Sequence, residues 1–313
     1  MVKTAVLMAT YNGEKFLKNQ LDSIKNQELR PDVVIFRDDG SSDQTVKFLE
    51  NYISENNLEN WFINVNEKNL GWRLNFRQLL IDSQVFDVDY VFFSDQDDTW
   101  NLDKNRRQIE VMEEHPYIDL LSGDIAIKKI SEQATVPTYF QFSDQTKEIS
   151  KYPARYNYQS YRSGWTLALK NEYVSELLKY WKPEYAVTHD VIVSVLASLL
   201  GTGYNLNQVV GIHIRHAGNA SGKMPVNLHS TRQVNIEELY KAVGFYDIMY
   251  HVLKDKNSSY TKMIKEYYDF SLKRYNLARE NKKIPVFIQI IRNWKYYGTM
   301  SSRIRDIIFL FKK

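Results

Sequence analysis

The chain is 313 residues long, 43% hydrophobic and 25% charged, with a formal net charge of +3. That length suits one sizeable domain with an appendage, and so small a charge excess gives no reason to expect a nucleic-acid partner. Cysteine is absent, which excludes disulfides and thiolate metal sites and fits a reducing cytoplasm.

Residues 4–9 (Thr-Ala-Val-Leu-Met-Ala) read as a first buried strand, entered so early that no signal peptide is expected. Thr10-Tyr11-Asn12-Gly13 breaks it, and Phe16, Leu17, Leu21 and Ile24 then fall at helical spacing. Residues 32–37 form a second strand pattern, closed by Asp38-Asp39-Gly40-Ser41-Ser42-Asp43; Val46, Phe48, Leu49 and Tyr52 mark the next helix. A third strand at 61–65, a helix at 75–83 and a strand at 88–93 continue the alternation. Such alternation predicts an α/β fold: a mostly parallel sheet with helices on both faces, whose ligands bind beyond the carboxyl ends of the strands. Three polar clusters sit at those ends, at 10–12, 38–43 and 95–98, and should converge on one crevice.

The second half is less regular. Residues 120–127 suggest a strand, 137–161 a polar, aromatic-rich loop, and 163–169 a turn into a strand. A helix is expected from about Asp190 to Leu200, ended by Gly201. Residues 231–280 carry helical periodicity, giving a helical C-terminal region over 226–313 behind an α/β domain over 1–225. That domain would divide into a first half (1–110), which holds the three strand-end clusters, and a second half (111–225). The tail from 284 to 313 reads as a basic amphipathic helix, suited to an anionic membrane surface or to packing on the domain or a partner subunit. No window holds eighteen uninterrupted apolar residues, so no membrane span is expected.

Asp95, Asp97 and Asp98 follow the fourth strand within four residues. Carboxylates packed so closely need a cation or solvent between them. A hard divalent ion such as Mg²⁺ or Mn²⁺, shared with substrate phosphates, satisfies that need; the alternative is a solvated acidic turn in which Asp98 or Thr99 caps the next helix. Beside such an ion a nucleotide diphosphate would be neutralised as a leaving group. Asp39 suits the imide N–H of a pyrimidine base, with Thr10 and Asn12 lining the nucleoside pocket and Tyr11 stacking on the base. Neither a P-loop nor a Gly-x-Gly-x-x-Gly motif is present.

The motifs Val6-Leu7-Met8-Ala9-Thr10-Tyr11-Asn12-Gly13, Arg37-Asp38-Asp39-Gly40-Ser41-Ser42-Asp43, Asn69-Leu70-Gly71 with Asn75-Phe76, and Ser94-Asp95-Gln96-Asp97-Asp98-Thr99-Trp100 resemble family 2 glycosyltransferases. Ser163-Gly164-Trp165-Thr166, Thr188-His189-Asp190 and 216–222 (His-Ala-Gly-Asn-Ala-Ser-Gly) extend the resemblance to about residue 225. Within the family these motifs are most similar to bacterial rhamnosyltransferases of capsule, O-antigen and cell-wall synthesis. The resemblance implies a GT-A fold and an inverting single displacement from a nucleotide sugar, with Mg²⁺ or Mn²⁺ as cofactor. Carried over by position, Thr10, Tyr11, Asn12, Asp39 and Asp95 would bind the nucleotide sugar, and Asp97, Asp98 and His216 the metal. Asp190 matches the general base that takes the proton of an acceptor hydroxyl, and a lone carboxylate suffices because inversion forms no covalent intermediate. Trp165, Thr166 and His189 would meet the acceptor.

The sequence departs from the family in two places. His189-Asp190 stands where Glu-Asp is common, a difference of subgroup. His213 and Ile214 stand where Tyr-Arg is common, which displaces Arg215 by one and makes it a candidate for the diphosphate. The implied activity is transfer of L-rhamnose from dTDP-β-L-rhamnose to a lipid-linked glycan, in the cytoplasm at the inner membrane face, by a monomer or homo-oligomer. A UDP-sugar donor on the same fold is the alternative, followed by a non-catalytic binding relative. A nucleotidyltransferase would carry a Gly-rich basic loop after the first strand, which is missing.

Overall fold

The computed structural model describes residues 2–142, 146–154, 161–219 and 230–312. Two compact units are formed, one by residues 1–179 with 188–222 and the other by 180–187 with 223–313.

The first unit is built on a mixed nine-stranded sheet. Strands β1 (Thr4–Thr10), β2 (Val33–Asp38), β3 (Trp61–Val65) and β4 (Tyr90–Ser94) run parallel in the order β3-β2-β1-β4. All five residues of β4 are buried, as expected of a central strand covered on both faces. Helices α1 (Leu17–Lys25), α2 (Thr45–Glu55) and α3 (Trp72–Ser83) form the crossovers. The apolar faces of α1 and α2 supply Leu17, Leu21, Ile24, Leu49 and Tyr52 to the core with Val6, Met8, Val34, Phe36 and Phe92. Pairing of Thr10 with Asp38 and of Met8 with Ser94 sets the ends of β1, β2 and β4 side by side. The three polar clusters therefore leave the sheet together.

Beyond β4 the sheet departs from the sequence-based expectation. Thr99–Trp100 form a short strand, β5, and helix α4 (Lys104–Glu114) begins only after Asp103, whose side chain makes no capping bond. Capping of a helix by Asp98 or Thr99 is thereby overturned. Strands β6 (Leu120–Lys129), β7 (Ile149–Lys151) and β8 (Ala168–Lys170) follow, with β8 antiparallel to both β4 and β6. A single-turn 3₁₀ segment, Gly164–Thr166, precedes β8, and helix α5 (Asn171–Leu178) follows it. Helix α6 (His189–Leu200) ends at Gly201, whose φ of 76° is the left-handed stop that glycine tolerates. A strand not anticipated from the sequence, β9 (Gly203–Arg215), runs parallel to β6 and antiparallel to β5 and β7.

In the second unit, α7 (Arg232–Asp255) and α8 (Thr261–Arg279) account for the periodicity read over 231–280. The 180–187 segment is fastened by Asp247, which accepts from Tyr185 at 2.8 Å and Lys182 at 3.2 Å. The tail is two helices rather than one: α9 (Lys283–Arg292) and α10 (Met300–Phe309), separated by a 3₁₀ turn at Trp294–Tyr296. Val286, Ile290, Tyr297 and Leu310 cluster with Phe270 of α8, and Arg274 holds Asp306 through two 2.7 Å bonds. Among the described residues no helix is long and apolar enough to cross a membrane.

Candidate active site

The three strand ends are tied to one another by short polar contacts. Thr10 donates to Asp38 at 2.9 Å, the Asn12 amide to Ser41 Oγ at 2.8 Å, and the Ser42 amide to Asn12 Oδ1 at 2.8 Å. Asn12 adopts a φ of 47°, a left-handed conformation that asparagine tolerates in turns. Gln96 joins the third cluster to the first: its Oε1 accepts from the Tyr11 amide at 2.9 Å and its Nε2 donates to the Tyr11 carbonyl at 3.1 Å. Gln96 was missed as a functional residue, although its place between Asp95 and Asp97 marks it. Tyr11 itself is half exposed, free to meet a planar ligand.

Asp39 is turned inward. Its carboxylate accepts from Asn66 at 2.9 Å and from the amides of Leu70 and Gly71 at 2.7 and 2.8 Å. Only 3% of the residue is exposed. It anchors the loop entering α3, with Gly71 at a φ of 77°, and the carboxylate expected at the base is engaged in that task.

The acidic cluster directly follows the end of β4. Desolvation, followed by the charges of Asp97 and Asp190, pushes Asp95 up to about 8. Burial, then Asp95 and Asp97, raises Asp98 well above the carboxylate range; its Oδ1 accepts from the Ile214 amide at 3.0 Å while its buried Oδ2 has no hydrogen-bond partner among the described residues. Asp97 Oδ2 lies 2.8 Å from His216 Nε2 and accepts from Asn219 at 2.9 Å. The His216 ring stacks on Phe16 with centroids 4.2 Å apart. Phe16 and Asn219 are thus further parts of the site, and 220–222 of the late motif lie outside the described residues.

These residues fit a divalent cation in part. Among the described residues no three His, Cys, Asp or Glu side chains are gathered as a ligand set. Yet Asp97 and His216 already converge at 2.8 Å, Asp95 is close enough to feel both carboxylates, and Asp98 keeps an orphaned oxygen. One or two carboxylates completed by substrate phosphates is the usual arrangement for Mg²⁺.

Asp190 sits in the first turn of α6, behind the N-cap residue Thr188. Burial pushes its carboxyl up to about 6, opposed by the Val191 amide, which donates to Oδ1 at 2.8 Å, and by the charge of Arg73. Arg73 also donates to Thr188 Oγ1 at 3.1 Å and lies 4.4 Å above the Trp72 ring. His189 points the other way. Its ring stacks on Phe76 at 3.8 Å and meets Phe93 edge-on at 4.7 Å, and burial drives its pKa down to about 3. Trp165 and Thr166 have no exposed surface. The acceptor contacts expected of His189, Trp165 and Thr166 are therefore corrected: all three lie beneath the site and support it. Arg215 is buried too, donating to the Thr135 carbonyl at 2.8 Å and lying 3.2 Å from His213 Nε2. His213 meets Tyr139, which also bonds Ser163 at 3.0 Å. Arg215 thus ties β9 to the 130–142 loop, and the diphosphate contact expected of it is not what these bonds describe.

A sheet whose central strand ends enclose an acidic crevice is the architecture of GT-A glycosyltransferases, and solved structures share it. S. aureus TarS 1-349 in complex with UDP-GlcNAc superposes with a TM-score of 0.57 at 17% identity, covering 99% of this chain and 89% of that one. The same protein in complex with UDP gives 0.56 at 17% identity, covering 99% and 90%. GalNAc-T7 with UDP, GalNAc and Mn²⁺ gives 0.58 at 15% identity, covering 85% of this chain and 56% of that one. At such identities these likenesses show the fold.

The profile of glycosyl transferase family 2 matches residues 5–178, more than half of the chain, which therefore belongs to that family. It is also 37% identical over 106 residues to the dTDP-rhamnosyl transferase RfbG of Shigella flexneri. That match spans 34% of this chain and 36% of the relative.

Proposed function

We propose that the protein is an inverting, metal-assisted rhamnosyltransferase that moves L-rhamnose from dTDP-β-L-rhamnose to a hydroxyl of a lipid-linked glycan at the cytoplasmic face of the membrane. The observation that carries this reading is the joining of the strand ends by Gln96, bonded to the Tyr11 backbone, and of Asp97 to His216 at 2.8 Å; the charge of Asp190, which adds to the raised proton affinity of Asp95, supports placing the base beside them. The partial likeness to a dTDP-rhamnosyl transferase supports the donor. The residue ranges 1–225 and 226–313 serve as the proposed catalytic and C-terminal regions.

In this reading Tyr11 and Asn12 border the nucleoside, held in register by Gln96. Asp97, His216 and Asp95 would hold Mg²⁺ or Mn²⁺, with Asp98 behind them. The bound ion supplies Lewis-acid stabilisation of the departing diphosphate. Asp190 accepts the proton of the acceptor hydroxyl as that oxygen attacks the anomeric carbon from the face opposite the nucleotide. Desolvation raises its basicity to about 6, and the Val191 and Asp190 amides, with the Arg73 charge behind them, oppose that rise.

A second reading, a UDP-sugar donor, is favoured by the solved relatives holding UDP and UDP-GlcNAc. Nucleotide release from a panel of dTDP- and UDP-sugars, with Mn²⁺ and with chelator, separates the two. A higher kcat/KM for dTDP-rhamnose, lost in chelator, is the expected result. Preference for a UDP-sugar establishes the second reading, and full turnover in chelator removes metal assistance.

A further inference from the structure

We propose that the outward face of α9, continued onto the ends of α10, docks on an anionic lipid bilayer. Helix α9 carries two apolar sets. Val286 and Ile290 face inward and are buried. Ile284 and Ile291 are 73% and 74% exposed, and Phe287 and Ile288 lie between them with about two-fifths of their surface open. Their spacing of three, four and seven residues makes one stripe along the helix. A helix already packed through its other face has no internal use for that stripe, and a contiguous apolar patch of this kind marks an interaction surface.

The patch extends onto the next helix at both ends. Lys283 Nζ lies 4.7 Å over the ring of Phe311, which is 65% exposed. At the opposite end the Arg303 guanidinium lies 3.8 Å over Trp294, itself half exposed. Residues 281–313 hold eight lysines and arginines against one acid, Asp306, and Asp306 is already neutralised by Arg274. Lys282, Lys283 and Arg292 are exposed along the stripe.

This combination selects the occupant. A second copy placed face to face would bring these cations against one another across an apolar contact, which is repulsive. A bilayer supplies hydrocarbon for the stripe and anionic headgroups for its rim, with an aromatic ring such as that of Trp294 suited to the boundary. The inference rests on the second unit alone and stands whichever donor or base is correct.

The test is flotation of the full chain with phosphatidylcholine vesicles, with and without phosphatidylglycerol, alongside light scattering for oligomeric state. Binding is expected to the anionic vesicles only, and to disappear at high salt. Ile284→Ser with Ile291→Ser should weaken it roughly tenfold or more, and Lys282→Gln, Lys283→Gln and Arg292→Gln about fivefold per charge. Circular dichroism checks that the variants remain folded, and the salt titration needs no variant. Wild-type binding that ignores salt and lipid charge would overturn the proposal. So would a chain that stays off vesicles but forms a dimer dissociated by the double serine change.

Discussion

Gly164→Ala tests whether the position of Asp190 governs turnover. A Cβ at residue 164 would lie 2.7 Å from His189 Nε2 and 3.3 Å from Asp190 Cβ. Restoring an ordinary 3.4 Å contact to the imidazole requires a shift of about 0.7 Å. His189 has little freedom to supply it, being stacked on Phe76 and edge-on to Phe93. The first turn of α6 must move instead, and it carries Asp190. Overpacking of this kind costs about 1–3 kcal/mol of stability, whereas misplacing a reacting group by about 1 Å costs about 10²-fold in rate. We expect kcat to fall between about tenfold and a hundredfold, with the KM for the donor little changed because the nucleotide contacts proposed for 10–12 and 96 lie elsewhere. Steady-state kinetics on the purified variant, with a thermal melt as control, measures both. A folded variant retaining wild-type kcat would refute the placement of the base.

Four further outcomes follow from the same geometry. With its carboxyl pushed up to about 6, Asp190 is protonated and unable to accept a proton at lower pH; kcat should therefore rise through pH 6, falling about tenfold per unit below it, and a flat profile would argue against the assignment. Asp190→Asn should lose about 10²–10⁴-fold in kcat with donor binding retained, as read by titration calorimetry. Gln96→Ala removes two bonds to the Tyr11 backbone and should raise the donor KM about thirtyfold, the loss expected for two bonds of about 1 kcal/mol each; an unchanged KM would discount the clamp. Lys104→Met should stabilise the fold: Lys104 is buried with no hydrogen-bond partner among the described residues, between Trp100 and Phe92, 4.0 and 4.5 Å from their rings, and desolvation drives its pKa well below 10.5. The unfolded chain binds that proton more readily, so stability rises with pH up to about 10.5, and the gain in thermal midpoint on substitution should shrink over the same range.

The parts of the fold legible in the sequence were those whose signal is local. Strands β1, β2 and β4 are unbroken apolar runs, and the polar residues terminating them mark the crevice without reference to anything distant. β9 was not legible, because Gly203–Arg215 mixes Asn205, Asn207 and His213 with apolar residues. Its pairing depends on remote partners: a Cβ at Gly211 would meet the Thr99 carbonyl at 2.5 Å and Trp165 at 2.8 Å. Thr99–Trp100 were misread for the same reason, since a two-residue strand exists only through its neighbour.

Motif position singles out candidate residues but does not aim their side chains. His189 and Asp190 are adjacent, and successive residues on an α-helix point about 100° apart. One therefore enters the core among Phe76 and Phe93, and the other opens toward the acidic cluster. A motif read as a unit assigns both to ligand contact; helical geometry allows it for one. Arg215 shows the complementary case, because its direction is set by the Thr135 carbonyl eighty positions away in sequence. The acidic motif differs because its chemistry is collective: burial with the charges of Asp97 and Asp190 raises Asp95, and burial with those of Asp95 and Asp97 raises Asp98, so the call for a neutralising partner follows from closeness along the chain.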